Sequence, residues 1–252
     1  MDPSSVSIRS DQDNSAFSDL RGLCRLGGIA AFIFIIYSLA TIVQMLVLGG
    51  QPASALEAFT LLQKSKLVGL LRLDLPTILV MPLYDFFYLG LYAALRKTNR
   101  AQALLFTVLG FAGVTLVLAT PSALSMLSLS DKYAGASTEA MRAQYLAAGE
   151  AVLAADIWHG TGAIIGGMLG ETSCLLFSLL MLRSIVFSRA SAYVGIVTHS
   201  LDLAHMLLGF FLPGLGAALL GTAGVLYPIW FFLLGRRLLQ LSRMPCAPKL
   251  GI

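Results

Sequence analysis

Six runs of about 20 apolar residues divide the chain, at 27–48, 75–95, 101–127, 160–182, 190–212 and 214–235, with polar or turn-forming residues between them. About 20 residues at 1.5 Å rise cover the hydrocarbon core of a bilayer. Unpaired backbone groups are too costly in lipid for open structures, so each run predicts a transmembrane α-helix. Leu212-Pro213-Gly214 supplies a tight turn between the last two runs. The expected fold is all-α: a polytopic membrane bundle of six transmembrane helices with amphipathic connecting helices, spanning 27–237. A Ser- and Asp-rich segment at 1–26 reads as a loose polar tail, and 238–252 as a second tail. The first run has a basic flank, and Ala53-Ser54-Ala55 resembles a secretory cleavage site. Its 22 residues nevertheless exceed the roughly 7–15 of a signal sequence, which favours a span.

Two segments between the runs carry weaker helical patterns. Residues 53–71 place Leu56, Phe59, Leu67 and Leu70 near one face. Residues 137–155 open with Ser137 or Thr138 as N-cap and put Met141, Tyr145, Ala148 and Val152 on one stripe. Each is expected either to lie on the outer leaflet or cover the mouth of the bundle, or to form an ordinary structured loop. No segment outside the runs is long enough for an independent soluble domain.

Composition bears on the solvent. The chain is 57% hydrophobic and 12% charged, with a mean hydropathy of +0.82, against about 25% charged residues in soluble domains. Water is excluded as its main solvent, because so apolar a soluble protein would expose large hydrophobic patches. The net charge of +4 lies in short clusters beside the apolar runs, without a basic stripe interleaved with aromatics. The expected partner is therefore the lipid bilayer and its anionic headgroups, not nucleic acid. With the N-terminus inside, 12 of the 17 Lys and Arg residues fall on the cytoplasmic side. The positive-inside rule then predicts a multi-pass protein of the cell membrane with both termini cytoplasmic. Cys24, Cys174 and Cys246 have neither disulfide nor zinc-ribbon spacing.

Depth singles out the candidate chemistry. The midpoints of the second, fourth and fifth runs fall on Asp85, on Glu171 and one residue from Asp202. A carboxyl at the bilayer centre costs at least ~2.5–3.5 kcal/mol unless it faces a polar interior, and such residues mark functional sites. Three at one level predict a shared centre formed by Asp85, Glu171, Asp202 and His199. Its neighbours agree. Glu171 continues a small-residue stripe with Ala163 and Gly167, and Gly162, Gly166 and Gly170 form a second track that lets helices approach closely. Gly195, His199, Asp202 and Gly209 share a face of the fifth run, with His205 flanking. Pro82 disturbs the helix before Asp85, beside a ladder of Tyr84, Tyr88 and Tyr92. Tyr84, Tyr88 and His205 are candidate contacts for a small lipophilic molecule. A protonated Asp85 or Glu171 would donate to that molecule or relay a proton, with His199 or His205 as base. The same residues would also serve merely to pair with one another and hold helices together.

A metal is the sharper alternative, through His199-x-x-Asp202-x-x-His205. The two histidines are six residues apart, about 240° around a helix, poorer than an i, i+4 pair. No metal and no cofactor are predicted. Gly160-Thr161-Gly162 opens no dinucleotide motif, since the third glycine is misplaced by one residue. Trp158 and Trp230 read as belt anchors near opposite interfaces, and Pro121 and Pro228 as kinks in their spans. Three functions fit: handling of a lipophilic small molecule or a proton; a membrane-embedded enzyme such as an acid-catalysed isomerase, cyclase or hydrolase; or a structural or accessory subunit.

Several stretches carry a family resemblance: Leu70-Leu71-Arg72-Leu73-Asp74-Leu75 leading to Pro82-Leu83, Leu91-Tyr92-Ala93-Ala94-Leu95-Arg96, Ala147-Ala148-Gly149-Glu150-Ala151, Met181-Leu182-Arg183-Ser184 and Ala192-Tyr193-Val194-Gly195-Ile196-Val197. In these, over about 20–240, the chain resembles an uncharacterised family of six-helix membrane proteins, domain of unknown function 4386. The resemblance implies six spans. It carries over no catalytic residue.

Overall fold

A computed structural model describes residues 3–244, with side chains from residue 20; the tail beyond 244, including Cys246, lies outside the described residues. All regular structure among the described residues is helical. The first helix, α1, runs from Pro3 to Leu48, so the segment expected as a loose tail is helical and continuous with the first span. No Gly or Pro interrupts 4–21, and a helix already nucleated propagates at little cost. Gly49, at φ +90°, ends it.

Proline divides two of the expected spans. The second becomes α4 (Leu75–Val80) and α5 (Leu83–Leu95), because Pro82 lacks an N–H and clashes with the turn before it. The third becomes α6 (Arg100–Leu118) and α7 (Ala123–Ala134), parted at Pro121. This corrects the expectation of one kinked helix over 101–127: α7 runs on past 127. After these come α9 (Thr161–Met181), α10 (Arg189–Leu208) and α11 (Pro213–Arg243). Pro228 lies inside α11 without ending it.

Among the described residues, five segments are long and apolar enough to cross a membrane: Leu20–Leu48, Leu75–Leu95, Arg100–Ala134, Thr161–Met181 and Pro213–Arg243. Their outward surface is apolar, with Leu46 80% and Val225 69% exposed, the inverse of a water-soluble surface. Helix α10 is more polar, since it carries Arg189, His199, Asp202 and His205.

The long helices close a ring in chain order. Helix α1 packs on α5, α5 on α6, α6 on α9, α9 on α10, α10 on α11, and α11 returns to α1. Short connections make α5 and α6, α9 and α10, and α10 and α11 antiparallel. Helix α5 also reaches across to α9 and α11, which fills the ring with Phe34, Phe87, Tyr88, Phe177, Trp230 and Phe231. The small-residue track on α9 does what its spacing implies. A Cβ on Gly113 of α6 would stand 2.7 Å from the Gly166 carbonyl oxygen and 2.8 Å from the Gly170 nitrogen, so only glycine permits this backbone contact.

At the end of the ring opposite the basic turns, α2 (Ala55–Lys64), α3 (Lys66–Arg72), α7 and α8 (Glu139–Ala154) form a cap with its own core. The two connecting segments are thus helical and pack with α7 and with each other, and Thr138 caps α8 by accepting from the Met141 N–H. Their faces differ from those expected. Ala55, Ala58, Phe59 and Leu62 are buried, whereas Leu56 and Leu67 are exposed, because Ser65 breaks the segment and resets its phase. On α8 the buried positions are Gly149 and Leu153, while Met141 is exposed. Buried Asp74 ties the cap to the ring by accepting from the Ser122 hydroxyl and the Ala123 N–H, each at 2.9 Å, and from the Ser122 N–H. Glu150 accepts from the Ala55 N–H at 2.8 Å, and Arg72 pairs with Glu57 at 2.9 Å.

Candidate functional site

Helices α9, α10 and α11 each bring a polar side chain to mid-length. The midpoint of α9 is Glu171, that of α10 adjoins His199, and that of α11 is Pro228, next to Tyr227. His199 and Asp202 are three apart on α10, as are Tyr227 and Trp230 on α11, so each pair shares a face. The His199 Nδ1 lies 2.6 Å from the Glu171 Oε2, a hydrogen bond between two groups able to exchange its proton. The Tyr227 hydroxyl donates to the Asp202 Oδ2. His199 thus links Glu171 of α9 to the face of α10 that carries Asp202. His199 is 1% exposed, Asp202 7% and Trp230 0%, while the Glu171 side chain keeps 18%.

Aromatic rings wall this centre. The His199 ring meets Trp230 edge-on at 4.3 Å between centroids and Tyr227 at 5.6 Å. Tyr227 stacks on Phe231, and Tyr84 of α5 stacks on Phe34 at 4.1 Å and contacts Phe231. Gly195, one turn before His199, makes room for the indole: a Cβ there would collide with Trp230 Nε1 and Ser178 Oγ.

Three buried atoms around the centre have no hydrogen-bond partner: Asp202 Oδ1, His199 Nε2 and Trp230 Nε1. Buried polar atoms in folded proteins are nearly always paired, so each orphan calls for an explanation. Among the described residues no Lys or Arg pairs with Glu171 or Asp202, and His199 is the one potentially cationic side chain hydrogen-bonded to either. Among the described residues, no three His, Cys, Asp or Glu side chains are grouped to hold a metal ion.

The structure unites Glu171, His199 and Asp202 and leaves Asp85 apart. The Asp85 side chain makes no hydrogen bond among the described residues, and its buried Oδ1 is an orphan. It sits in the first turn of α5 just after the break at Pro82, where free backbone N–H groups and the helix dipole favour a negative group. Of the candidate contacts, Tyr84 borders the centre through Phe231, on which Tyr227 stacks. Tyr88 is buried in the core, its hydroxyl 3.3 Å from the Gly170 carbonyl oxygen, and receives the Cys174 thiol. His205 is committed elsewhere, donating from Nδ1 to the Gly216 carbonyl at 3.0 Å and fastening α10 to α11. Tyr227 was not among the expected site residues. Trp230 is no belt anchor but the largest fully buried side chain among the described residues.

The fold and the site together define a helical membrane protein with an acid–histidine centre inside its ring. Comparison with family models, with curated proteins and with solved structures finds no match.

Proposed function

We propose that the chain is a six-span protein of the cell membrane, both termini cytoplasmic, that handles a proton or a small lipophilic molecule at Glu171, His199, Asp202 and Tyr227. One observation carries this reading: two carboxyls and a histidine meet near the middles of their helices with buried atoms unpaired, and among the described residues no Lys or Arg pairs with them. Helix-fastening alone would have paired every atom, as Asp74 is paired in the cap. Helix α10 is the sixth span, its polar face turned to its neighbours in the ring. Orientation follows the charges: from residue 20 onward the end bearing Arg96, Lys97, Arg183 and Arg236 has basic side chains and no acidic one, as the positive-inside rule requires of the cytoplasmic face. Six spans also agree with the resemblance to the domain of unknown function 4386 family.

The test is proton flux in proteoliposomes loaded with a pH-sensitive dye and driven by a potassium diffusion potential. The intact protein is expected to acidify the lumen faster than protein-free vesicles, and Glu171→Gln and Asp202→Asn are expected to abolish the difference. Asp85→Asn is expected to retain it. Flux equal to that of empty vesicles, or lost only in Asp85→Asn, would overturn the reading.

A further inference from the structure

The vacant atoms of the centre have a definite chemical sense. With the shared proton on His199 Nδ1, facing Glu171, the imidazole is neutral and its Nε2 is a lone-pair acceptor. Asp202 Oδ1, 93% buried as a residue and unpaired, is a second acceptor three residues along the same face of α10. Two vacant acceptors beside two carboxyls call for a positively charged donor. A bare metal ion lacks a third side-chain ligand among the described residues. An anion would meet two carboxyls and no Lys or Arg. A nitrogen cation with its own N–H bonds meets both requirements, because it brings the missing charge and hydrogen-bonds two acceptors at once. The walls suit it: Tyr227 and Trp230 flank His199, and aromatic faces attract ammonium groups.

Resting on the proton-handling reading above, we propose that this centre binds a lipophilic primary amine as its ammonium ion, Asp202 Oδ1 and His199 Nε2 accepting its N–H bonds, in exchange for a proton. The exchange balances charge: before binding the proton sits on the Asp202 carboxyl, and it leaves to solvent as the ammonium ion arrives, which turns Oδ1 into the acceptor while His199 keeps its Nδ1 proton. The titratable groups facing it are Glu171 and Cys174 of α9, His199 and His205 of α10, Tyr227 of α11 and Tyr84 of α5. The apolar tail belongs among the membrane helices, and Glu171, the most exposed group of the centre, marks the side of entry. Met206 is the movable wall there. Its Cε lies where a Cβ on Gly167 would come within 2.9 Å, one turn from Glu171 on the same stripe, and the flexible thioether side chain can swing aside.

Trp230 is a built-in reporter, and Trp158→Phe leaves it as the sole tryptophan. In zwitterionic nanodiscs, octylamine is expected to change Trp230 emission saturably and to release protons into weak buffer, relative to protein-free discs. Octanol and octanoate are expected to do neither. Asp202→Asn should weaken octylamine binding about tenfold or more, as loss of one charge-assisted hydrogen bond implies. Equal responses to octanol and octylamine, binding without proton release, or full affinity in Asp202→Asn would each overturn the proposal. Should Asp202→Asn fail to assemble, proton release by the Trp158→Phe protein decides alone. Failure here with flux still dependent on Glu171 and Asp202 removes only the amine. Loss of that flux removes the underlying reading as well.

Discussion

Asp202 is held by one oxygen and idle at the other, and the difference is measurable. Its Oδ2 accepts from Tyr227, whereas its Oδ1 accepts from nothing. Asp202→Ala strands the Tyr227 hydroxyl in a buried position and is expected to lower stability by about 1–3 kcal/mol. Asp202→Asn keeps an acceptor there and should cost clearly less, both read from thermal unfolding in one detergent. Depth alone made Glu171, His199 and Asp202 visible in the sequence, because the expense of a polar group in lipid depends on its position along the span. Azimuth was not legible. Asp85 has the same depth signature, but the break at Pro82 resets the helical phase before it, and nothing in the spacing shows which way it then points. Trp230 was misplaced for a simpler reason. The apolar run ends at 235, but α11 continues to Arg243, so a residue that looked interfacial lies near mid-helix.

Among the elements, adjacent glycines on α9 face different surroundings. A Cβ on Gly166 would stand 2.8 Å from the Gly113 carbonyl oxygen and 2.9 Å from the Leu116 Cβ, so α6 and α9 must part to admit it. A Cβ on Gly167 would meet only the end of Met206. Gly166→Ala is therefore expected to cost about 1–3 kcal/mol and Gly167→Ala close to nothing, as thermal midpoints of the two variants will show. The stripes of small residues were readable from i, i+4 spacing; which stripe faces backbone and which a flexible side chain was not. The cap offers a second test. Asp74 holds three donors at the start of α7, so Asp74→Ala is expected to free that junction and expose 119–122 to limited proteolysis, which the unaltered protein resists. Sequence periodicity found the cap helices but missed their packing faces, because Ser65 caps α3 and so divides the first of them.

For the whole molecule, apolar run length revealed the helical class, and five of the six expected runs lie in helical segments long and apolar enough to cross a membrane among the described residues. It could not reveal that they close a ring in chain order, since lipid-facing and ring-facing sides are both apolar. Topology is testable with single cysteines in a protein lacking its three native ones. Ser137→Cys in the cap is expected to react with a membrane-impermeant maleimide added to intact cells, and Lys97→Cys only after the membrane is opened. The reverse pattern would invert the proposed orientation. The central claim, that Glu171 and His199 share a proton in the middle of the membrane, is reached most directly by infrared difference spectroscopy between acidic and alkaline pH. The intact protein is expected to show a carboxyl C=O band that disappears in Glu171→Gln, shifts in His199→Gln and is unchanged in Asp85→Asn. A His199→Gln spectrum superimposable on that of the intact protein would contradict it.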